Sequence, residues 1–141
     1  DHTGNTTLTT WVRPNYTGAS YVGTGMTHSS GIFTFPSTGL WKISLSFRTN
    51  LISTDTSAGL FLKLSTDGGS NVTIISGAFE NRNSNSSLNT QALVNVTNTS
   101  NFQISCAGAS LDVVNNTQSK ISGHADRNDT CILFERITDS Q

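Results

Sequence analysis

The chain has 141 residues, a length that fits one domain burying about two-thirds of its extended surface. Only 12% of the residues are charged, and the formal net charge of −1 with eight Lys and Arg leaves no basic footprint for nucleic acid or an anionic membrane. Ser, Thr and Asn make up roughly two-fifths of the chain, which favours strands over helices. No apolar run approaches the ~18 residues of a membrane span.

The N-terminal part carries few large apolar residues. Residues 7–12 alternate loosely around Leu8 and Trp11, which predicts a peripheral strand. We interpret residues 1–19 as this strand or as a connection to a longer protein, and the whole of 1–141 as a single domain. Residues 16–28, rich in Gly, Ser and Thr, predict only broken strand.

The most regular pattern lies in the first third of the chain. From Trp41 to Arg48 apolar and polar residues alternate without a break, as in an antiparallel strand with one buried face. Pro36 has no amide proton for a sheet ladder and Gly39 tolerates a positive φ. We therefore expect a sharp corner between this strand and a shorter strand over residues 32–35.

This corner resembles the F-x-x-P-x-x-G-L-[YW] segment of the globular heads of the tumour necrosis factor and complement superfamily. The matching residues are Phe33, Pro36, Gly39, Leu40 and Trp41. The family usually has Tyr where Trp41 stands, and its closing aromatic strand is echoed only loosely by residues 131–137. The resemblance implies a jelly roll that assembles as a homotrimer.

The rest of the chain predicts further strands and turns. Two alternating runs, residues 60–65 and 72–79, flank Asp67-Gly-Gly and predict a β-hairpin. Its turn lacks the regular acidic ligands of a calcium loop. Further strands are expected within 91–97, 102–109 and 130–137, with a polar loop over residues 80–87 and a short strand near Leu111 and Val113. Eight to ten strands without a helical pattern predict an all-β, two-sheet antiparallel sandwich or jelly roll.

The two cysteines lie in apolar strand runs. We interpret Cys106 and Cys131 as core thiols, with a single disulfide between them as the alternative. They have no CxxC spacing and the chain has only three histidines, so a zinc site is not expected. No cofactor is predicted, and no motif supports a structural cation such as calcium.

One polar cluster could form a binding site in the loop before the last strand. It combines an imidazole, two carboxylates and a guanidinium, which together suit a cation, a sugar or a protein partner. The alternative is a solvated connection. His28 is a weaker candidate, and no histidine forms a recognisable catalytic group with Ser or Cys, so we do not predict an enzyme. The cluster consists of His124, Asp126, Arg127 and Asp129.

Eight Asn-x-Ser/Thr sequences are present, which would carry glycans only in a secreted eukaryotic protein. In a bacterial or viral particle they would be an accident of composition. They begin at Asn5, Asn15, Asn71, Asn85, Asn95, Asn98, Asn115 and Asn128.

These features favour a non-enzymatic, trimeric head domain of a virion or phage structural protein, exposed outside cells and joined to the remainder of a fibre or capsid protein. Its partner would be a host-surface glycan or protein. The alternatives are a secreted complement- or cytokine-like ligand, a purely structural capping module and a carbohydrate-processing enzyme. Aromatic residues left over from the core would form the trimer interface, with Trp11, Tyr21, Phe61, Phe79 and Phe134 as candidates.

Overall fold

The computed structural model describes residues 2–3, 7–13, 23–50, 57–81, 86–109, 113–114, 117–118, 120–124 and 129–141. Over these residues the fold is all-β, without a helix, and every paired strand is antiparallel. None of the described segments is a helix long and apolar enough to cross a membrane. The strands are β1 (His2–Thr3), β2 (Thr27–Ser29), β3 (Ile32–Thr34), β4 (Gly39–Asn50), β5 (Ser57–Ser65), β6 (Thr73–Asn81), β7 (Ser87–Val96), β8 (Gln103–Ala109), β9 (Val113–Val114), β10 (Thr117–Gln118), β11 (Lys120–Ile121) and β12 (Cys131–Thr138).

The strands form two main sheets and one separate pair. Sheet I is centred on β4, which pairs with β7 along one edge. Along the other edge β4 pairs first with β12 and, at its end, with β11. β1 pairs with β11. Sheet II has the order β2-β3-β8-β5-β6. The pair β9 and β10 stands apart from both. Twelve strands therefore occur in the described part of the chain, more than the predicted eight to ten, because four of them are only two residues long.

The core lies between the two sheets and is built on β4. Apolar and polar residues alternate along β4, so the pleat of the strand turns every second side chain toward the core. Ile43 and Leu45 are fully buried, and Leu60, Leu62 and Ile104 of sheet II are buried with them in one cluster. Each such side chain contributes about 1.5–3 kcal/mol by leaving water. The alternation predicted for residues 41–48 is confirmed, and the strand extends to Asn50.

Aromatic rings close one side of the core. Phe33 of β3 and Phe134 of β12 lie with ring centroids 5.2 Å apart, which joins sheet II to sheet I. Phe35 packs against Trp41 at 5.4 Å and, edge-on, against Phe134. The two sheets therefore face one another across a shared core, in a β-sandwich-like arrangement.

The predicted corner before β4 is confirmed. Gly39 has a φ of 145°, in the region that side chains disfavour. A Cβ there would also lie 2.6 Å from Nε of Arg136 and 2.7 Å from the carbonyl oxygen of Thr138. The indole Nε1 of Trp41 donates to the carbonyl of Ser37 at 3.2 Å. Glycine is thus required at this position for both conformation and space.

The N-terminal segment differs from the prediction. Instead of a strand over residues 7–12, it makes one bridge, between Thr7 and Ala107 of β8. The N–H of Leu8 donates to the carbonyl of Cys106 at 2.8 Å, and the Leu8 side chain is buried in the core. The chain then turns back, and Nε1 of Trp11 donates to the carbonyl of Leu8 at 2.9 Å. The segment therefore pairs with β8 only at its start and then folds back on itself.

Candidate binding surfaces

The predicted loop cluster is only partly visible. His124 is exposed after β11, and Asp129 is half-buried just before β12. Asp126 and Arg127 lie outside the described residues, so whether the four side chains converge stays a prediction. Within the described ranges no three His, Cys, Asp or Glu residues form a group that could hold a metal ion. His28 is exposed on β2, with its ring 5.4 Å from that of Phe33.

The two cysteines are free thiols in different environments. Cys106 is buried in the core, and burial raises the pKa of its thiol to about 12, which keeps it protonated at neutral pH. Cys131 is half-buried and pairs with Ser46, whose side chain points away from the core. The interpretation as a core thiol is thus confirmed for Cys106, and Cys131 lies on the outer side of sheet I.

The Asp67 turn is held by its own side chains. The backbone N–H and the side-chain amide of Asn71 donate to the Asp67 carboxylate at 2.9 and 2.6 Å, and Oγ of Ser65 donates to it at 2.8 Å. These bonds, led by the backbone bond from Asn71, lower the pKa of Asp67 to about 2. Gly68 and Gly69 both have positive φ. The network stabilises the turn from within, and the hairpin turn predicted at Asp67-Gly-Gly is confirmed.

Two of the predicted interface aromatics contribute to the core. Trp11 is partly buried and meets Phe33 edge-on at 5.5 Å. Phe134 is partly buried between Phe33 and Phe35. Tyr21 lies outside the described residues. Trp11 and Phe134 were interface candidates because they are large aromatic residues. In the structure both rings contact Phe33 at the margin of the core.

Phe61 and Phe79 lie on the outer side of sheet II, on the neighbouring strands β5 and β6. Their rings pack edge to face at 5.1 Å. Each ring also lies over a glycine of the other strand: a Cβ at Gly77 would be 2.7 Å from Phe61, and one at Gly59 would be 2.9 Å from Phe79. We call this group the aromatic pair. It is half-exposed, with Phe79 at 42%.

The outer side of sheet I carries exposed leucines. Leu93 of β7 and Leu133 of β12 are 65% and 54% exposed. In the ladder, Lys42 pairs with Leu93 on one side and Glu135 on the other, and Nζ of Lys42 lies 3.6 Å from the Glu135 carboxylate. Ser44 pairs with Leu133 in the next row. We call Leu93, Leu133 and the Lys42–Glu135 pair between them the leucine face.

The leucine face was missed in the sequence, although a signal was present. Residues 92–94 and 131–134 are consecutive apolar runs. Successive side chains of a strand point to opposite sides, so each run must place at least one large residue outside. A further apolar row is exposed at β6, the outermost strand of sheet II in the described part of the chain: Val72 precedes β6 and is 53% exposed, and Ile74 lies within it and is 50% exposed.

Three of the Asn-x-Ser/Thr asparagines are described. Nδ2 of Asn71 donates to Asp67, and Nδ2 of Asn95 donates to the carbonyl of Gln141 at 2.8 Å. Asn98 is exposed in the turn before β8, and its Oδ1 accepts from the N–H of Ser100 at 2.9 Å. Asn71 and Asn95 thus already use the nitrogen that would carry a glycan.

No model of a known protein family matches this chain, and no curated protein is significantly similar to it. The exposed apolar surfaces of the described residues are the leucine face, the aromatic pair and the apolar row along β6.

Proposed function

We propose that this chain is a non-enzymatic jelly-roll head domain that assembles as a homotrimer at the surface of a virion or phage. The observation that carries the proposal is the path of the chain between the sheets. It places β3 in sheet II, β4 in sheet I, β5 and β6 in sheet II, β7 in sheet I, β8 in sheet II and β12 in sheet I. Repeated crossing between two antiparallel sheets is typical of jelly rolls. The Phe33 to Trp41 corner adds the family resemblance.

The non-catalytic part of the proposal is supported by the roles of three carboxylates. Asp67 accepts hydrogen bonds within its own turn. Glu135 lies beside Lys42 on the leucine face, and Asp139 pairs with Arg136 at 2.5 Å. General acid–base catalysis needs a carboxyl group within reach of a substrate proton. These three groups instead serve structural contacts.

The trimer is supported by two separate apolar surfaces. The leucine face lies on sheet I, whereas Val72 and Ile74 lie at β6, the outermost strand of sheet II. Contacts between two different patches are heterologous, and such contacts form a ring when the rotation between neighbouring copies closes. Because Lys42 and Glu135 already neutralise each other on the leucine face, a second copy can cover it without burying an unpaired charge. The family resemblance favours three copies in the ring.

Cell-surface binding is the role we propose for the trimer. The polar surface, rich in Ser, Thr and Asn with little charge, suits weak hydrogen bonding to glycans. Three weak sites on one rigid head bind an array of receptors far more tightly than one site does. Cys106 lies in the core and Cys131 on the outer side of sheet I as free thiols, which favours the virion head over a disulfide-stabilised secreted ligand.

The assembly is tested by the molar mass in solution, measured by light scattering on the eluting peak at neutral pH. We expect three times the 15.0 kDa of one chain. A monomer would overturn the trimeric head. The same run with a chelator tests for a structural cation, since loss of the trimer mass on chelation would place a metal in the assembly.

The binding role is tested separately, by applying the labelled trimer to an array of host-type glycans. Binding that free sugar competes away would support the receptor-binding head. A trimer that binds no glycan and no host cell surface would instead favour the structural capping module.

A further inference from the structure

The last residues of the chain make specific contacts at the start of the central strand. Arg136, near the end of β12, donates through Nε to the carbonyl of Thr38 at 2.9 Å and through a terminal nitrogen to Asp139 at 2.5 Å. Its guanidinium occupies the space that a Cβ at Gly39 would need. The corner before β4 is therefore held from outside by a residue almost a hundred positions later in the chain.

A second contact ties the same segment to the opposite edge of β4. Nδ2 of Asn95 in β7 donates to the carbonyl of Gln141 at 2.8 Å, and the N–H of Gln141 donates to Oδ1 of Asn95 at 3.1 Å. The side-chain amide thus uses both its donor and its acceptor on one backbone residue. Nε2 of Gln141 also donates to the carbonyl of Asp139 at 3.3 Å.

The ladder shows how the segment reaches Asn95. The pairing of β12 with β4 shifts between Arg136 and Thr138, so the chain leaves its regular register there. β12 and β7 lie on opposite edges of β4, and Leu40 pairs with both Thr138 and Asn95. Residues 139–141 therefore cross from one edge of β4 to the other at its first residues.

We propose that residues 136–141 form a strap that opens and closes as one unit with the corner at residues 36–39. Its two anchors are the Arg136 contacts with Thr38 and Asp139 and the amide pair of Asn95 with Gln141. Only a few residues separate Arg136 from Gln141. We therefore expect that loss of the hydrogen bonds at one anchor makes the hydrogen bonds at the other anchor open more often. The strap is a conformational device of the single chain, and it does not depend on the proposed trimer.

Native-state amide hydrogen exchange, followed by NMR, tests this coupling. Asn95→Ala removes the distal anchor, and we expect exchange to become about tenfold faster at Gln141 and also at Gly39 and Leu40, as for the loss of one or two net hydrogen bonds. Arg136→Gln removes the proximal anchor, and we expect the same increase at Gln141. Faster amide exchange at the anchor that was not mutated is the result that distinguishes a strap from two independent contacts.

Asn89→Ala is the matched control, because Asn89 is an exposed asparagine of the same strand that accepts from Ser46 and touches neither anchor. It should leave exchange at Gly39, Leu40 and Gln141 at the wild-type rates. If Asn95→Ala accelerates only Gln141, the two anchors are independent and the strap is overturned. Equal acceleration in Asn89→Ala would also overturn it, since the effect would then be a general loosening of β7.

Discussion

The β5–β6 hairpin and the leucine face differ in how far their outward-facing apolar side chains are covered by the rest of the chain. In the hairpin, Phe61 and Phe79 pack on each other and over glycines of the facing strands. On sheet I, Leu93 and Leu133 are more exposed than Phe79, and polar neighbours lie beside them in the ladder. A large exposed residue is therefore a weak sign of an interface when its own chain already covers much of it.

The leucine face adds a second set of candidate interface residues to the predicted aromatic ones. Aromatic size pointed to Phe61 and Phe79 of the hairpin, whose rings pack on each other. Greater exposure points to Leu93 and Leu133 of the leucine face. Substitutions of the aromatic pair should therefore change the stability of the folded chain, and substitutions on the leucine face should change its assembly.

The largest effect on folding is expected from Gly59→Ala. Gly59 is buried, and an added Cβ would meet the carbonyl oxygen of Ala78 on the neighbouring strand and lie 2.9 Å from Phe79. Backbone cannot yield as a side chain can, so we expect about 2 kcal/mol of destabilisation in urea unfolding, as for overpacking. Gly77→Ala is the control: its nearest obstacle is the ring of Phe61, which can move, and its cost should be smaller. Equal costs would contradict this reading of the hairpin.

A smaller effect is expected from Phe79→Ala. The substitution removes an edge-to-face pair and part of a half-exposed ring, which together should lower the free energy of unfolding by about 1 kcal/mol. Thr73→Ala serves as the comparison, because Thr73 is an exposed residue of the same strand and its substitution should change the free energy of unfolding by under ~0.5 kcal/mol. If Phe79→Ala cost no more than Thr73→Ala, the contacts of the aromatic pair would not stabilise the hairpin.

The smallest effect is expected from Asp67→Asn, which should change how the thermal midpoint depends on pH. The Asp67 pKa is lowered from 3.8 to about 2, so its contribution is fully present above pH 3.8 and is lost as the pH falls through 2. Thermal midpoints recorded from pH 5 to pH 2 should therefore fall more steeply for the wild type than for Asp67→Asn. Thr66→Ala, which keeps the carboxylate, should follow the wild-type profile. Parallel profiles for all three proteins would show that the turn network is not ionically stabilised.

Local sequence patterns predicted the parts of the fold that depend on local geometry. The alternation from Trp41 onward, the corner at Gly39 and the Asp67 hairpin each follow from side-chain period or turn chemistry, and each is confirmed. In place of the strand expected over residues 7–12, the structure has the Thr7–Ala107 bridge and the bond from Leu8 to Cys106 of β8, contacts with a distant strand that the local pattern does not specify.

The surfaces could not be predicted in the same way. In the runs 92–94 and 131–134 every residue is apolar, so the sequence does not say which side faces the core. That choice is made by pairing with β4, which turns Leu93 and Leu133 outward with Lys42 and Ser44. The loop cluster of His124 and Asp129 stays a prediction, since its other two members lie outside the described residues.

The most direct test of the account is the solution mass of a double variant, Leu93→Ser with Leu133→Ser, measured by light scattering beside the wild type. We predict a trimer for the wild type and a folded 15.0 kDa monomer for the variant, with monomer stability changed by under ~0.5 kcal/mol. Ile32→Ser, at a 41% exposed aliphatic residue of β3 in sheet II, should remain a trimer. A double variant that keeps the wild-type trimer mass would contradict the assignment of the leucine face as the contact between copies.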